Sequence, residues 1–122
     1  MGFCFPGLDA KGGDLPPRPE CAPRWRAEVI GAFARIELVL LVGQYAQRWH
    51  LGGRAAGGLT ETVRRWRSIH QAGDAPRLIP LPHPSWRNTA WLKANPWFEA
   101  EVIPVLQTEV AAARVAFLTG TG

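Results

Sequence analysis

The sequence has few cysteines and no long apolar run, and each shortage excludes a class of protein. Cys4 and Cys21 are the two cysteines among 122 residues. Two thiols alone cannot supply the four protein ligands of a typical structural metal site. On the count alone, two small buried apolar side chains are the simpler interpretation. No segment approaches the ~20 consecutive apolar residues of a membrane span, and no signal-peptide pattern opens the chain. We therefore expect a cytoplasmic protein with no membrane partner.

Acidic residues are outnumbered by basic ones, 10 to 14, which gives a net charge of +4. An excess of this size permits contact with a polyanion such as nucleic acid but does not require it. The length is that of one domain. We therefore expect a single domain over residues 1–122, and a monomer.

Two short apolar runs among helical patterns predict an α/β domain with a parallel sheet. The runs are IELVLLVG and RLIPL, and a third strand is conceivable at GFCF near the start. A doubly wound sheet normally has more strands, so the chain looks as if it begins within a larger fold. The predicted order is loop 6–23, helix 25–34, strand 36–43, helix 44–52, helix 60–70, strand 77–81, loop 82–88, a helix after Asn88, and a last helix that Pro104 kinks or shortens.

Three loops follow strand ends in this prediction, at residues 5–7, 43–44 and 82–88. Ligands of open α/β sheets bind at the carboxyl ends of the strands, so these loops could share one rim. Their glycines allow close backbone approach, and the third loop adds His, Ser, Arg and Asn. This composition suits an anionic or nucleotide ligand better than an apolar one.

The chain contains CFPG, ECAP, LLVGQYAQRWHLG and HPSWRN, in this order. These segments and their order resemble the C-terminal part of the uracil-DNA glycosylase superfamily. The nearest branch is the bacterial iron–sulfur, family 4-like one, and the likeness covers nearly all of the chain. It implies a three-layer fold with a parallel sheet. The superfamily's Gly-rich first motif, which positions the hydrolytic water, is absent, so the resemblance implies an N-terminally truncated form.

The resemblance implies roles for the loop after the second strand. His83 would donate a hydrogen bond to the departing base, although a lone histidine is more often a satisfied turn residue. Pro84 would stiffen the backbone, and Ser85 would bind a DNA phosphate or, equally, its own turn. Trp86 and Arg87 stand where the family probes the vacated base stack, with core packing and phosphate contact as their respective alternatives.

Asn88 is first of all a helix N-cap, and it closes the DNA-binding set that the resemblance implies. Gly43 and Gln44 open a helix at a strand end, where backbone N–H groups could meet phosphate. The alternative for Gly43 is a tight strand-to-helix turn that needs glycine anyway.

Cys4 and Cys21 occupy the places of two of the four ligands of the family's [4Fe–4S] cluster. Clusters of this type normally take four cysteines. A full-length form could therefore hold the cluster, whereas we expect none in this chain alone.

The resemblance thus implies a DNA-repair hydrolase that cleaves the N-glycosidic bond of a flipped-out uracil, with uracil-containing DNA as its partner. The alternative is a non-catalytic, truncated or degenerate nucleic-acid-binding domain. An unrelated nucleotide-binding α/β module is a third possibility, which the fold class alone would permit.

Overall fold

The computed structural model describes residues 6–33, 35–73, 76–85 and 88–119. The chain divides into two compact units, residues 1–34 and residues 35–122. The expectation of a single domain stays a prediction. Within the described residues, no helix has the length and apolar character needed to cross a bilayer.

The first unit is a loop followed by a short helical segment. An isolated antiparallel bridge joins Leu8 and Asp14 in the loop. A π-helical turn then spans Ala22–Arg26 and continues as α1, Ala27–Gly31. The predicted loop 6–23 is therefore wrong at its end, because Pro23 lies in the first turn of a helix, where its missing N–H costs nothing.

The second unit contains two parallel strands, β1 (Leu38–Val42) and β2 (Arg77–Leu81). Their register pairs Leu38 with Arg77 and Val42 with Leu81. Both strands were predicted from their apolar runs, and both are confirmed, with the first one shorter by a few residues. The possible strand at GFCF lies outside the described residues.

Parallel strands need a long crossover connection, which helices provide here. The predicted helix over 60–70 is interrupted, because Arg65 leaves helical geometry at φ −83° and ψ 14°. The connection consists of α2 (Gly43–Leu51), a 3₁₀ turn (Gly52–Ala55), α3 (Leu59–Arg64) and α4 (Trp66–His70).

Two further helices follow β2, namely α5 (Thr89–Ala94) and α6 (Ile103–Thr119), with a π-helical turn at Phe98–Val102 between them. The π-helical turn runs directly into α6, and the regular α-helix begins at Ile103, one residue before Pro104. The expected shortening of the regular helix at this proline is thus confirmed.

Each face of the small sheet contributes side chains to a core cluster, while Leu40 and Val42 of β1 stay exposed. Ile79 and Leu81 belong to one core cluster together with Phe98. Leu41 belongs to a second cluster with Leu51 of α2. Because successive strand residues point to opposite faces, helices cover the sheet on both sides. The predicted α/β architecture is confirmed.

Candidate active site

The register of the two strands brings two of the predicted loops to one edge of the sheet. Val42 and Leu81 are partners at the last position of each strand. Gly43 and Pro82 therefore leave the sheet side by side, at its carboxyl end. The third predicted loop, at residues 5–7, belongs to the first unit, and its Phe5 lies outside the described residues.

A cavity of about 290 Å³ lies at this edge. Its interior is apolar and is supplied by the end of the sheet and by the helices that follow β2. Its polar groups come from the loop after β2. Its lining includes Val42, His83, Ser85, Asn88, Phe98 and Leu106.

His83 is exposed and follows the buried Pro82 directly. Pro82 and Pro84 flank it, and each proline fixes its own φ near −65°. Few backbone torsions are thus left free around the imidazole. His83 lines the apolar cavity and is exposed, so it lies at the boundary between the cavity and solvent.

Asn88 corrects one expectation, because its side chain does not cap α5. It occupies the N-cap position, but its backbone is helical at φ −82° and ψ 0°, and no capping bond forms. N-cap side chains normally require an extended backbone to reach the free N–H groups. The Asn88 amide Nδ2 instead donates to the carbonyl oxygen of His83, and the Asn88 backbone N–H donates to that of Ser85 at 2.9 Å.

Gly43 makes the turn from β1 into α2 possible. Its φ of +81° lies in the left-handed region, which strains any residue with a Cβ atom. Gln44 is exposed, and its Oε1 accepts a hydrogen bond from the Arg48 guanidinium at 3.2 Å. The turn explains the glycine without a ligand, while the pair Gln44–Arg48 adds a cation close to the sheet edge.

Gln47 is a residue that the sequence reasoning missed. It is fully buried, and its Nε2 donates to Leu41 O at 3.0 Å and to Leu81 O at 2.9 Å. One amide therefore bridges the carboxyl ends of both strands, directly behind the loop that carries His83. Its signal in the sequence is its spacing, since positions 43, 47 and 51 share the helix face that packs on the sheet.

Arg64, Arg65 and Arg67, on α3 and α4 and at the break between them, keep exposed side chains. Arg64 lies over the Trp97 ring with 5.3 Å to its centroid, and Arg67 lies over Trp66 at 4.9 Å. Arg65 donates to the carbonyl oxygens of Ala56 and Glu61. All three guanidinium groups thus contact other residues of the second unit.

The uracil DNA glycosylase superfamily model matches residues 3–107, which is most of the chain. The chain belongs to the uracil DNA glycosylase superfamily. The match contains the strand pair, the cavity and the loop around His83. The resemblance drawn from HPSWRN and its companion segments is confirmed at this level, while the iron–sulfur branch and the truncation stay predictions.

Members of a uracil DNA glycosylase family act on DNA. The residues predicted to bind DNA lie in the loops at the carboxyl end of the sheet. The structure brings His83, Pro84, Ser85 and Asn88 together at the cavity, with Gly43 at the same edge. Gln44 adjoins this edge. Trp86 and Arg87 lie outside the described residues.

The two cysteines of this chain are half of the [4Fe–4S] ligand set that the resemblance implies, and the cluster stays a prediction for a full-length form. Cys21 is buried at the start of the helical segment in the first unit, whereas Cys4 lies outside the described residues. Beside Cys21, a backbone hydrogen bond and the Arg18 side chain hold the pKa of Glu20 below its usual range. Within the described part of the chain, no three His, Cys, Asp or Glu side chains converge. Two thiolates are half of the usual four.

Proposed function

We propose that this protein acts on uracil in DNA as a glycosylase, with the cavity at the carboxyl end of the sheet receiving the extruded base. The observation that carries the proposal is the position of His83 at the mouth of an apolar cavity of about 290 Å³, in a chain of this superfamily. That volume is close to the lower end of the ~300–1,000 Å³ range of small-molecule sites. A single base with part of its sugar fits such a space better than a larger cofactor.

The reaction breaks the bond between C1′ of deoxyribose and N1 of uracil. The bonding electron pair leaves with the base, water adds to C1′, and a proton is released. Negative charge therefore develops on the base oxygens in the transition state. An N–H of His83, aimed at such an oxygen from the cavity mouth, would stabilise this charge where it forms.

The remaining rim residues would hold the DNA strand. Ser85 is exposed beside His83, so its hydroxyl could donate to a phosphate next to the extruded nucleotide. Pro84 holds the backbone between them. Arg48, which contacts Gln44 at the neighbouring turn, would add positive charge near the same backbone.

A second function has an observation of its own. Among the described residues that line the cavity there is no carboxylate that could orient a hydrolytic water. A domain with this lining could bind an extruded base without cleaving it. The alternative function is therefore a non-catalytic uracil- or nucleic-acid-binding domain.

One experiment separates the two functions. A labelled oligonucleotide with a single uracil is compared with its thymine counterpart, and both binding and base release are measured with this chain. Release from the uracil strand alone supports the glycosylase. Binding without release supports the alternative, whether or not it favours the uracil strand. Absence of both binding and release contradicts both functions.

A further inference from the structure

We propose that Gln47 is the positioning residue for His83. The proposal rests on the proposed function for its catalytic consequence, but its structural part concerns this chain alone. The side-chain amide of Gln47 donates both of its N–H groups to the carboxyl ends of the strands, one to Leu41 O of β1 and one to Leu81 O of β2. It does so from a fully buried position, without lining the cavity.

The carbonyl oxygen of Leu81 lies at the last position of β2, opposite the last residue of β1, so its hydrogen-bond donor has to come from outside the strand pair. Leu81 is buried, and its carbonyl oxygen would lose hydration without a partner. The Gln47 amide supplies that partner and at the same time fixes the spacing of Leu81 from Leu41.

The side-chain amide of Gln47 does more than fill space in the core. Gln47 Oε1 is buried and has no hydrogen-bond partner among the described residues. Burying an unpaired polar oxygen costs free energy, so an apolar side chain of the same length would be the more stable choice if packing were all that mattered. The two N–H bonds are what a glutamine adds at this position.

The constraint reaches His83 through a single residue. Leu81 is followed by Pro82, which is buried and has a fixed φ, and His83 comes next. On the other side, Asn88 holds the carbonyl oxygen of His83 itself. His83 is thus fixed from two directions, by Gln47 through the strand end and by Asn88 through the loop.

The first test observes the histidine rings by NMR in protein labelled at histidine, without any substrate. Gln47→Met keeps an unbranched side chain of similar length and removes both donors. We expect the ring signals of His83 to shift or broaden, while those of His70 on α4 stay in place. Gln71→Met, at an exposed position after α4, is the matched control and should leave both histidines unchanged.

A measurement on the unaltered protein guards against a variant that fails to fold. Both side-chain N–H protons of Gln47 are bonded and buried, so they should exchange slowly with solvent. Fast exchange of these two protons overturns the inference. So does a folded Gln47→Met protein whose His83 signals equal those of the wild type.

The catalytic consequence is tested by uracil release. We expect Gln47→Met to lower kcat about tenfold to a hundredfold, because a small displacement of a reacting group has this scale of effect. The KM for the oligonucleotide should change little, since Gln47 touches no DNA. If the wild type releases no uracil while the His83 signals still move, the proposed function fails and the positioning role stands. If the wild type releases uracil but Gln47→Met changes neither kcat nor the His83 signals, the positioning role fails and the proposed function stands.

Discussion

Asn88 shows how one residue can have two incompatible explanations that a single substitution separates. A capping role would need an acceptor, and aspartate caps helices about as well as asparagine. The bond to the His83 carbonyl needs a donor, which an aspartate carboxylate lacks. The structure shows the second arrangement, so Asn88 holds the His83 loop rather than the end of α5.

Asn88→Asp should therefore destabilise the loop even though it preserves size and capping ability. We expect a loss of about 0.5–1.5 kcal/mol in the free energy of unfolding, the usual contribution of one hydrogen bond. Urea denaturation of the variant and the wild type measures it. A variant as stable as the wild type, or more stable, would restore the capping role.

Gly43→Ala tests the turn between β1 and α2. The added Cβ meets no atom within 4 Å, so the cost comes from the backbone φ of +81° alone. A left-handed conformation costs an L-residue roughly 1–2 kcal/mol, and we expect that loss in thermal or urea unfolding. Gly53→Ala is the control, because Gly53 has open space and no positive φ. Equal effects at the two glycines would show that the turn places no demand on Gly43.

Residue patterns predicted the His83 loop but not the contacts inside it. HPSWRN, placed after an apolar run, was sufficient to locate the rim, since strand ends are where α/β ligands bind. The two donors were not predictable, for different reasons. The bond from Gln47 to Leu81 depends on the register of β1 and β2. The bond from Asn88 to His83 joins two residues of one loop, where the sequence favoured an N-cap instead. A glutamine on the buried face of a helix was the one available hint.

At the scale of elements, the strands were predictable and the helix boundaries were not. Continuous apolar runs identify strands that are covered on both faces, and β1 and β2 follow them closely. The break between α3 and α4 at Arg65 involves neither proline nor glycine, so no local signal announced it. The first helical segment begins at Ala22, ahead of the predicted start at residue 25, because its proline suits a first turn as well as a loop.

An ion pair joins the amino end of β2 to α6. Arg77 opens β2, and its Nε donates to Glu109 Oε2 at 2.6 Å. His70 Nε2 lies 3.4 Å from the other carboxylate oxygen, without hydrogen-bond geometry. The Glu109 side chain is only 17 % exposed. This contact links three elements at the end of the sheet opposite the cavity.

Glu109→Gln should weaken this link without changing the shape of the side chain. We expect a loss of about 1–3 kcal/mol in the free energy of unfolding, as for a hydrogen bond to a charged group, measured by urea denaturation. Glu99→Gln, at an exposed position, serves as the control and should stay within about 0.5 kcal/mol of the wild type. If both variants behaved alike, the contact would contribute nothing to stability.

At the scale of the whole molecule, the cysteine count governs what the chain can carry. Two thiols in 122 residues are half of a cluster's usual ligand set. We expect the purified chain to be colourless and to contain far less than stoichiometric iron, as isolated and after anaerobic incubation with iron and sulfide. Visible cluster absorbance together with stoichiometric iron would contradict this expectation.

The superfamily match, the parallel strand pair and the cavity beside His83 together support one account, in which an extruded uracil leaves with its charge stabilised by His83. The most direct test is the single-turnover rate of uracil release from a labelled oligonucleotide. His83→Ala should slow release by about 10²–10³, the effect of removing one oxyanion donor. His50→Ala, which lies outside the cavity lining, should leave the rate unchanged once folding is verified. No release by the wild type, or equal rates for the wild type and His83→Ala, would contradict the account.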